Sequence, residues 1–227
     1  MSELLDRPVW HSLVTHHSAL SVGDDLARRF LPDVNKFVSG VDDSEAAMTR
    51  AAELIEAGEE VYILQVSDIR IPPALSAKME ALGVQMVRTD RTPLPVDAGD
   101  MVALGDADAA EMLALATLTQ PGPFLARTHE MGPFWGVRID GRLAAMAGER
   151  MRFPGFTEVS GVCSHPDFRG LGLAKRLSAQ ITNSILARGD TPFLHAWATN
   201  ATAIGLYESL GFSIRCEVQA AVLERTG

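Results

Sequence analysis

Apolar residues recur along this chain with two periods, and together they lay out most of its elements. Leu173, Leu177, Ile181 and Ile185 repeat at i, i+4 and predict a helix with one buried face. Ala109, Met112, Leu113 and Ala116 repeat at i, i+3, i+4 and i+7, behind Asp106 as a cap. Ala47, Ala51, Leu54 and Ile55 predict a helix from Asp43–Ser44 to about Ala57, ended by Gly58. Short β-branched runs predict strands at 61–66, 84–88, 101–104, 134–139, 142–150 and 158–164. Asp140–Gly141 joins two of these strands and is a strong short hairpin signal. Pro72–Pro73 opens a segment expected to be helical to about Leu82, with Gly83 as its stop. Residues 1–43 carry Trp10, Leu13, Val14, Leu20 and Leu26 in no pattern that decides between helix and strand.

The segment 91–100 holds two prolines and a glycine and is the best linker candidate. It divides the chain into an α/β region, 1–97, and a second part, 98–227, ordered strand, helix, three antiparallel strands, helix, strand, helix, strand. The fold class expected is α/β, with a mixed sheet.

The stretch Arg169-Gly170-Leu171-Gly172-Leu173-Ala174 lies between a predicted strand and a predicted helix. A tight glycine turn into a helix leaves backbone N–H groups aimed at one spot, where the helix dipole adds positive charge. Arg169 adds a forked cation suited to phosphate oxygens. The chemistry implied is binding of an anion, most simply a diphosphate. The dinucleotide fingerprint G-x-G-x-x-G fails because Lys175 stands where the third glycine belongs, and the P-loop pattern fails too.

What fits is Arg-x-x-Gly-x-Ala, preceded by His165-Pro166-Asp167-Phe168. With it the chain resembles the GNAT superfamily of N-acetyltransferases, whose signature is Arg/Gln-x-x-Gly-x-Gly/Ala. A second segment, Asn200 to Phe212, is similar to that family's Asn-x-x-Ala-x-x-x-Tyr-x-x-x-Gly-Phe. The two motifs stand in the right order about thirty residues apart. The resemblance covers residues 98–225. The region before it is similar in length to that of two-part proteins related to glycine N-acyltransferases.

The resemblance implies the GNAT fold with an N-terminal accessory region, and transfer of an acetyl group from acetyl-coenzyme A to a primary amine by direct attack. It implies that Arg169, Gly170, Leu171, Gly172, Leu173 and Ala174 bind the pyrophosphate of coenzyme A. Val162, Cys163 and Ser164 would bind the pantetheine arm, with a backbone N–H at a strand bulge as the oxyanion donor. Asn200 would touch the cofactor or cap its helix. Tyr207 would be the general acid that protonates the leaving thiolate. The base stays open between Glu158, ranked first, Glu149 and water. Cys163 with His165 raises a rival covalent route, which needs a thiolate. A catalytically inactive cofactor-binding or regulatory domain is the alternative function, and a protein amine the alternative acceptor to a small molecule. A homodimer is a family expectation.

Composition narrows the choice. The 227 residues carry a net charge of −9, against the basic stripe of a nucleic-acid binder. No run of about 18 apolar residues predicts a membrane span, and the first residues lack a signal peptide's pattern. Two cysteines without metal spacing or a disulfide framework fit a reduced, cytoplasmic setting, and the six histidines form no metal set.

Overall fold

The computed structural model describes residues 3–97 and 99–226. In chain order the elements are α1 (Pro8–Val14), β1 (Ser21–Gly23), β2 (Ala27–Phe30), β3 (Val38–Gly40), α2 (Glu45–Glu53), β4 (Glu60–Gln65) and β5 (Leu75–Val87). They continue with β6 (Met101–Leu104), α3 (Ala109–Thr119), β7 (Phe134–Ile139), β8 (Arg142–Phe153), β9 (Phe156–Ser164), α4 (Leu173–Ala187), β10 (Thr191–Trp197), α5 (Ala201–Glu208) and β11 (Ser213–Arg225).

Eight strands form one mixed sheet in the order β4-β11-β5-β10-β9-β8-β7-β6, and β1-β2-β3 form a small separate sheet. The expected α/β architecture with its mixed sheet is present. α4 and α5 pack on one face, their apolar stripes meeting Met86, Ala145, Val159 and Leu194. The other face is covered by α1 and the small sheet through Leu5, Val9, Leu13 and Phe30 against Phe153 and Phe193. On this same face α2 packs against β4 and β11, and α3 against Met146 and Cys163.

The strand β5 departs from the sequence expectation. Residues 75–82 were expected to be helical, as their alanine, lysine, methionine, glutamate and leucine prefer. They are extended instead, because they pair along their length with β11. β5 pairs antiparallel with β11 from Val87↔Ser213 to Leu75↔Arg225, and with β10 only from Val87↔Phe193 to Gly83↔Trp197. Tertiary pairing with a distant strand overrides intrinsic preference. Only the half next to β10, Gly83–Val87, is buried throughout.

The division of the chain at residue 97 is therefore not a division of the sheet, since β4 and β5 belong to the same sheet as β6–β11. Ala98, where the second part was expected to begin, lies outside the described residues. The rest of the linker candidate is pinned. Asn183 on α4 clamps both the N–H and the C=O of Leu94 at 2.8 and 2.9 Å. Buried Arg88 donates to the carbonyls of Leu210, Asp90 and Thr92. No helix among the described residues is long and apolar enough to cross a membrane.

A fragment of residues 98–227 would leave β10 and β11 without the strand that joins them. It is expected to be insoluble or to lack a cooperative thermal transition by circular dichroism. A soluble fragment with a sharp melt would show that the sheet closes without β5.

Candidate functional site

The strands β9 and β10 run parallel and then part. Their register holds only from Phe156↔Thr191 to Glu158↔Phe193. Past Glu158, β9 keeps β8 as its partner and has none on the other side. A register shift opposite Met146–Gly148 places a bulge at Gly161–Val162, and Gly161 takes φ +62°, a conformation that favours glycine. The ring of Phe134 covers this point, because a Cβ on Gly161 would meet it at 2.8 Å and one on Gly148 at 2.4 Å. The parting of the strands leaves backbone groups of Ser160–Ser164, Val162, Cys163 and Ser164 among them, along a strand edge that faces an open gap.

The glycine loop stands at the end of that gap. Gly170 and Gly172 have φ of +81° and +73°, and a Cβ on either would meet nothing within 4 Å. Gly172 is the N-cap of α4 and no side chain caps the helix there. Its first-turn N–H groups therefore remain open to a ligand. Arg169 is exposed and has no acidic partner among the described residues. Arg176, one turn further along α4, is bound to Asp100. This donor set fits a diphosphate.

Asn200 caps α5, its side-chain oxygen accepting from the Ala203 N–H at 3.0 Å. On α5, Tyr207 is 9 % exposed and packs edge-on against Phe212. Its hydroxyl has no partner among the described residues, yet it is not among the sealed, unpartnered polar atoms, so it faces open space. Burial, and then the negative charge of Glu158, push its pKa up to about 12. Tyr207 is thus a phenol, able to donate, throughout the physiological range.

Glu158 has no exposed surface. Arg150 holds it through Nε at 2.8 Å and Nη2 at 2.6 Å, and His195 Nδ1 lies 2.7 Å away. Burial alone would raise its pKa, but the charge and hydrogen bonds of Arg150, with His195, outweigh that and hold it at about 2. A carboxylate so held is a weak proton acceptor, so the geometry makes Glu158 an anchor rather than the expected base.

The anchor extends to the first residues of the chain. Gln85 Nε2 lies 3.1 Å from His195 Nε2 and donates to the Leu5 carbonyl at 2.8 Å, while its oxygen accepts from Arg215. That fixes the amide's orientation. The His195 ring then accepts at Nε2 and donates from Nδ1 to Glu158. Glu149, the other carboxylate considered as base, turns toward α4 and meets Arg188 at 2.6 Å. Burial raises its pKa, and its second oxygen has no partner.

Cys163 is buried against α3, and burial pushes its thiol up to about 11. A thiol at neutral pH gives the covalent route no nucleophile. Among the described residues no group of His, Cys, Asp and Glu could hold a metal ion.

On the face carrying α3, a shallow, open pocket lies between the loop Pro121–Phe124 and strands β8 and β9. Arg150, Phe134, Ser160 and Gly161 form its floor.

Three residues of this site carry no motif: Arg150, His195 and Gln85. The turn at Pro154–Gly155 is the signal that leads to Arg150. It pairs Phe153 with Phe156 and Arg152 with Thr157, which brings Arg150 beside Glu158. His195 and Gln85 have no comparable signal, since they stand on strands 110 residues apart.

Comparison with known proteins agrees with this geometry. The FR47-like protein family matches residues 135–220. A crystal structure from Novosphingobium aromaticivorans, a candidate acetyltransferase of the GNAT family, is 42% identical over 100% of both chains with a TM-score of 0.93. A GCN5-related N-acetyltransferase from Kribbella flavida shares the fold at 15% identity and TM-score 0.62, covering 99% of this chain and 95% of that one. A GCN5-related N-acetyltransferase-like protein from Streptococcus suis does so at 17% identity and TM-score 0.53, covering 99% and 94%. No curated protein matches the chain.

Removing the Arg150 guanidinium, as in Arg150→Met, strands a buried charge and should destabilise the fold by about 3–5 kcal/mol. The depressed pKa of Glu158 adds a pH signature. Its stabilisation is complete above the ordinary glutamate range, near 4.3, and is lost as pH falls toward 2. Urea melts of the wild type and Arg150→Met at pH 7, and of the wild type and Glu158→Gln at pH 7 and pH 3, check both points. The variant should lose less stability on acidification than the wild type.

Proposed function

Because the chain belongs to the GNAT family of acetyltransferases, we propose that it moves an acetyl group from acetyl-coenzyme A to the primary amine of a small molecule, by direct attack with both substrates bound. GNAT acetyltransferases use acetyl-coenzyme A in general. The observation that carries the reading is the parting of β9 and β10 beside an uncapped glycine loop, with the Tyr207 hydroxyl open at the same place.

Bound here, acetyl-coenzyme A supplies an activated acyl group. The N–H groups of Gly170–Ala174 and the Arg169 guanidinium hold its diphosphate. The open edge of Val162–Ser164 pairs with the pantetheine amides as a strand would. An N–H at the Gly161–Val162 bulge points at the thioester oxygen and stabilises the charge that develops on it. Asn200, its oxygen committed to capping α5, keeps its amide N–H₂ for the cofactor. The Tyr207 hydroxyl protonates the departing thiolate. Since a thiol's pKa is near 8.5, this help is worth about 10²-fold, the low end of acid–base effects.

Proton loss from the acceptor ammonium falls to water at the pocket mouth, because both oxygens of Glu158 are engaged and its pKa is about 2. Glu158 instead keeps Arg150 in place on the pocket floor.

Calorimetric titration with acetyl-coenzyme A tests the reading. Saturable binding is expected, weakened at least tenfold in the Arg169→Ala/Gly172→Asp double variant. No binding by folded protein at millimolar cofactor would remove the acetyltransferase reading. Tyr207→Phe should bind cofactor normally and turn over about 10²-fold more slowly. An unchanged rate would take Tyr207 out of the mechanism.

A further inference from the structure

We propose that Arg150 selects the acceptor by gripping a carboxylate beside its amine, so that the acceptor class is a small free amino acid with an apolar side chain. This rests on the acetyltransferase reading above and narrows it.

Arg150 offers a partly used fork. Its Nε and Nη2 are spent on Glu158, while Nη1 has no partner among the described residues and is not sealed from solvent. That third nitrogen faces the pocket. A Cβ built on Gly122, in the loop that roofs it, would stand 3.7 Å from Nη1, and Gly122 at φ +132° carries no side chain to fill the space. The guanidinium is held before any ligand arrives, by the two bonds to Glu158 and by the ring of Phe37, 4.9 Å away on its face. An arginine fixed this way loses little conformational freedom when it binds a carboxylate.

The rest of the pocket states what accompanies the carboxylate. Arg150 is its one charged lining residue. Phe124 and Phe134, packed edge to face at 5.6 Å, and Pro121 and Pro123 make an apolar wall. The Thr128 hydroxyl is already satisfied by the Val34 carbonyl and the Leu125 N–H. Ser160 and Gly161 also line it, beside the bulge assigned to the oxyanion. A carboxylate on Nη1 therefore sets the neighbouring amine toward the acyl group, and the side chain against the aromatic rings. The N-terminus of a protein would bring an amide where this pocket offers N–H donors to a carboxylate.

The Arg150–Glu158 pair is neutral as a whole, so recognition depends on directed N–H donation rather than long-range attraction. A hydrogen bond to a charged group lost in this way corresponds to about 10- to 100-fold in kcat/KM.

The experiment measures thiol release from acetyl-coenzyme A with matched acceptors: alanine, alaninamide and ethylamine, then valine, valinamide and isobutylamine, each rate expressed per unprotonated amine. Calorimetry with acetyl-coenzyme A runs alongside. The expected result is that at least one amino acid exceeds its amide and its decarboxylated amine at least tenfold in kcat/KM. Arg150→Lys keeps a cation beside Glu158 but not the fork. It should raise KM for the amino acid about tenfold more than KM for the simple amine and so narrow the ratio, with folding checked by its thermal melt. Equal or better use of the amides and amines overturns the proposal. So does a panel of the common amino acids that releases no thiol from protein that binds acetyl-coenzyme A. Absence of cofactor binding would instead bring down the acetyltransferase reading, and this inference with it.

Discussion

A carboxylate with none of its surface in water stays charged only where a cation and hydrogen bonds replace the solvent, and Glu158 imposes that requirement on everything near the centre of the sheet. It stands in the last residue pair before β9 and β10 separate. Arg150 must reach it from β8, and His195 must turn its ring to it from β10. His195 in turn needs a donor, which Gln85 on β5 supplies, and Gln85 is tied to the Leu5 carbonyl. One buried charge thus fixes three neighbouring strands and the first turn of the chain around the point where the cleft opens. Breaking any link leaves a polar group unpaired in a place where the surrounding core offers no substitute.

The same anchor separates two tasks within the site. On one side of the parting strands, the glycine loop and the open edge of β9 offer backbone donors, insensitive to side-chain identity. On the other side, the small pocket offers a side chain, Arg150, framed by aromatic rings. Backbone recognition suits a cofactor that does not vary. Side-chain recognition suits an acceptor that does, since a few substitutions in the Pro121–Phe124 loop or on its floor would reshape the pocket without touching the loop 169–174.

Where local physics dictates conformation, the sequence is legible. Gly170 and Gly172 adopt the positive φ their position before a helix suggested, Asn200 caps α5, and Asp140–Gly141 turns a hairpin with φ of +51° and +78°. The apolar stripe of α4 faces the sheet as its spacing requires. The failures come where distant partners decide. Residues 75–82 have helical preferences and proline and glycine punctuation to match, yet β11, far along the chain, claims them as a strand. Glu158 could be found on its strand, but its state could not. Whether a carboxylate is a base or an anchor depends on Arg150, His195 and Gln85, which converge only in three dimensions.

The position of β5 also orders events in time. Its two partners, β10 and β11, come only after four intervening strands, β6–β9. During synthesis β5 emerges long before either, so its edges stay unsatisfied until both have left the ribosome. Parallel pairing of β9 with β10 and insertion of β5 are both non-local, which slows folding and prolongs exposure of strand edges. The half of β5 that lies beyond β10 carries Lys78 at a register shift opposite Val222–Leu223, and Lys78 pairs with Glu224 on β11. A charge and a bulge are the features by which an edge strand discourages pairing with another chain. The waiting strand thus carries its own protection against aggregation on the edge that β10 leaves uncovered.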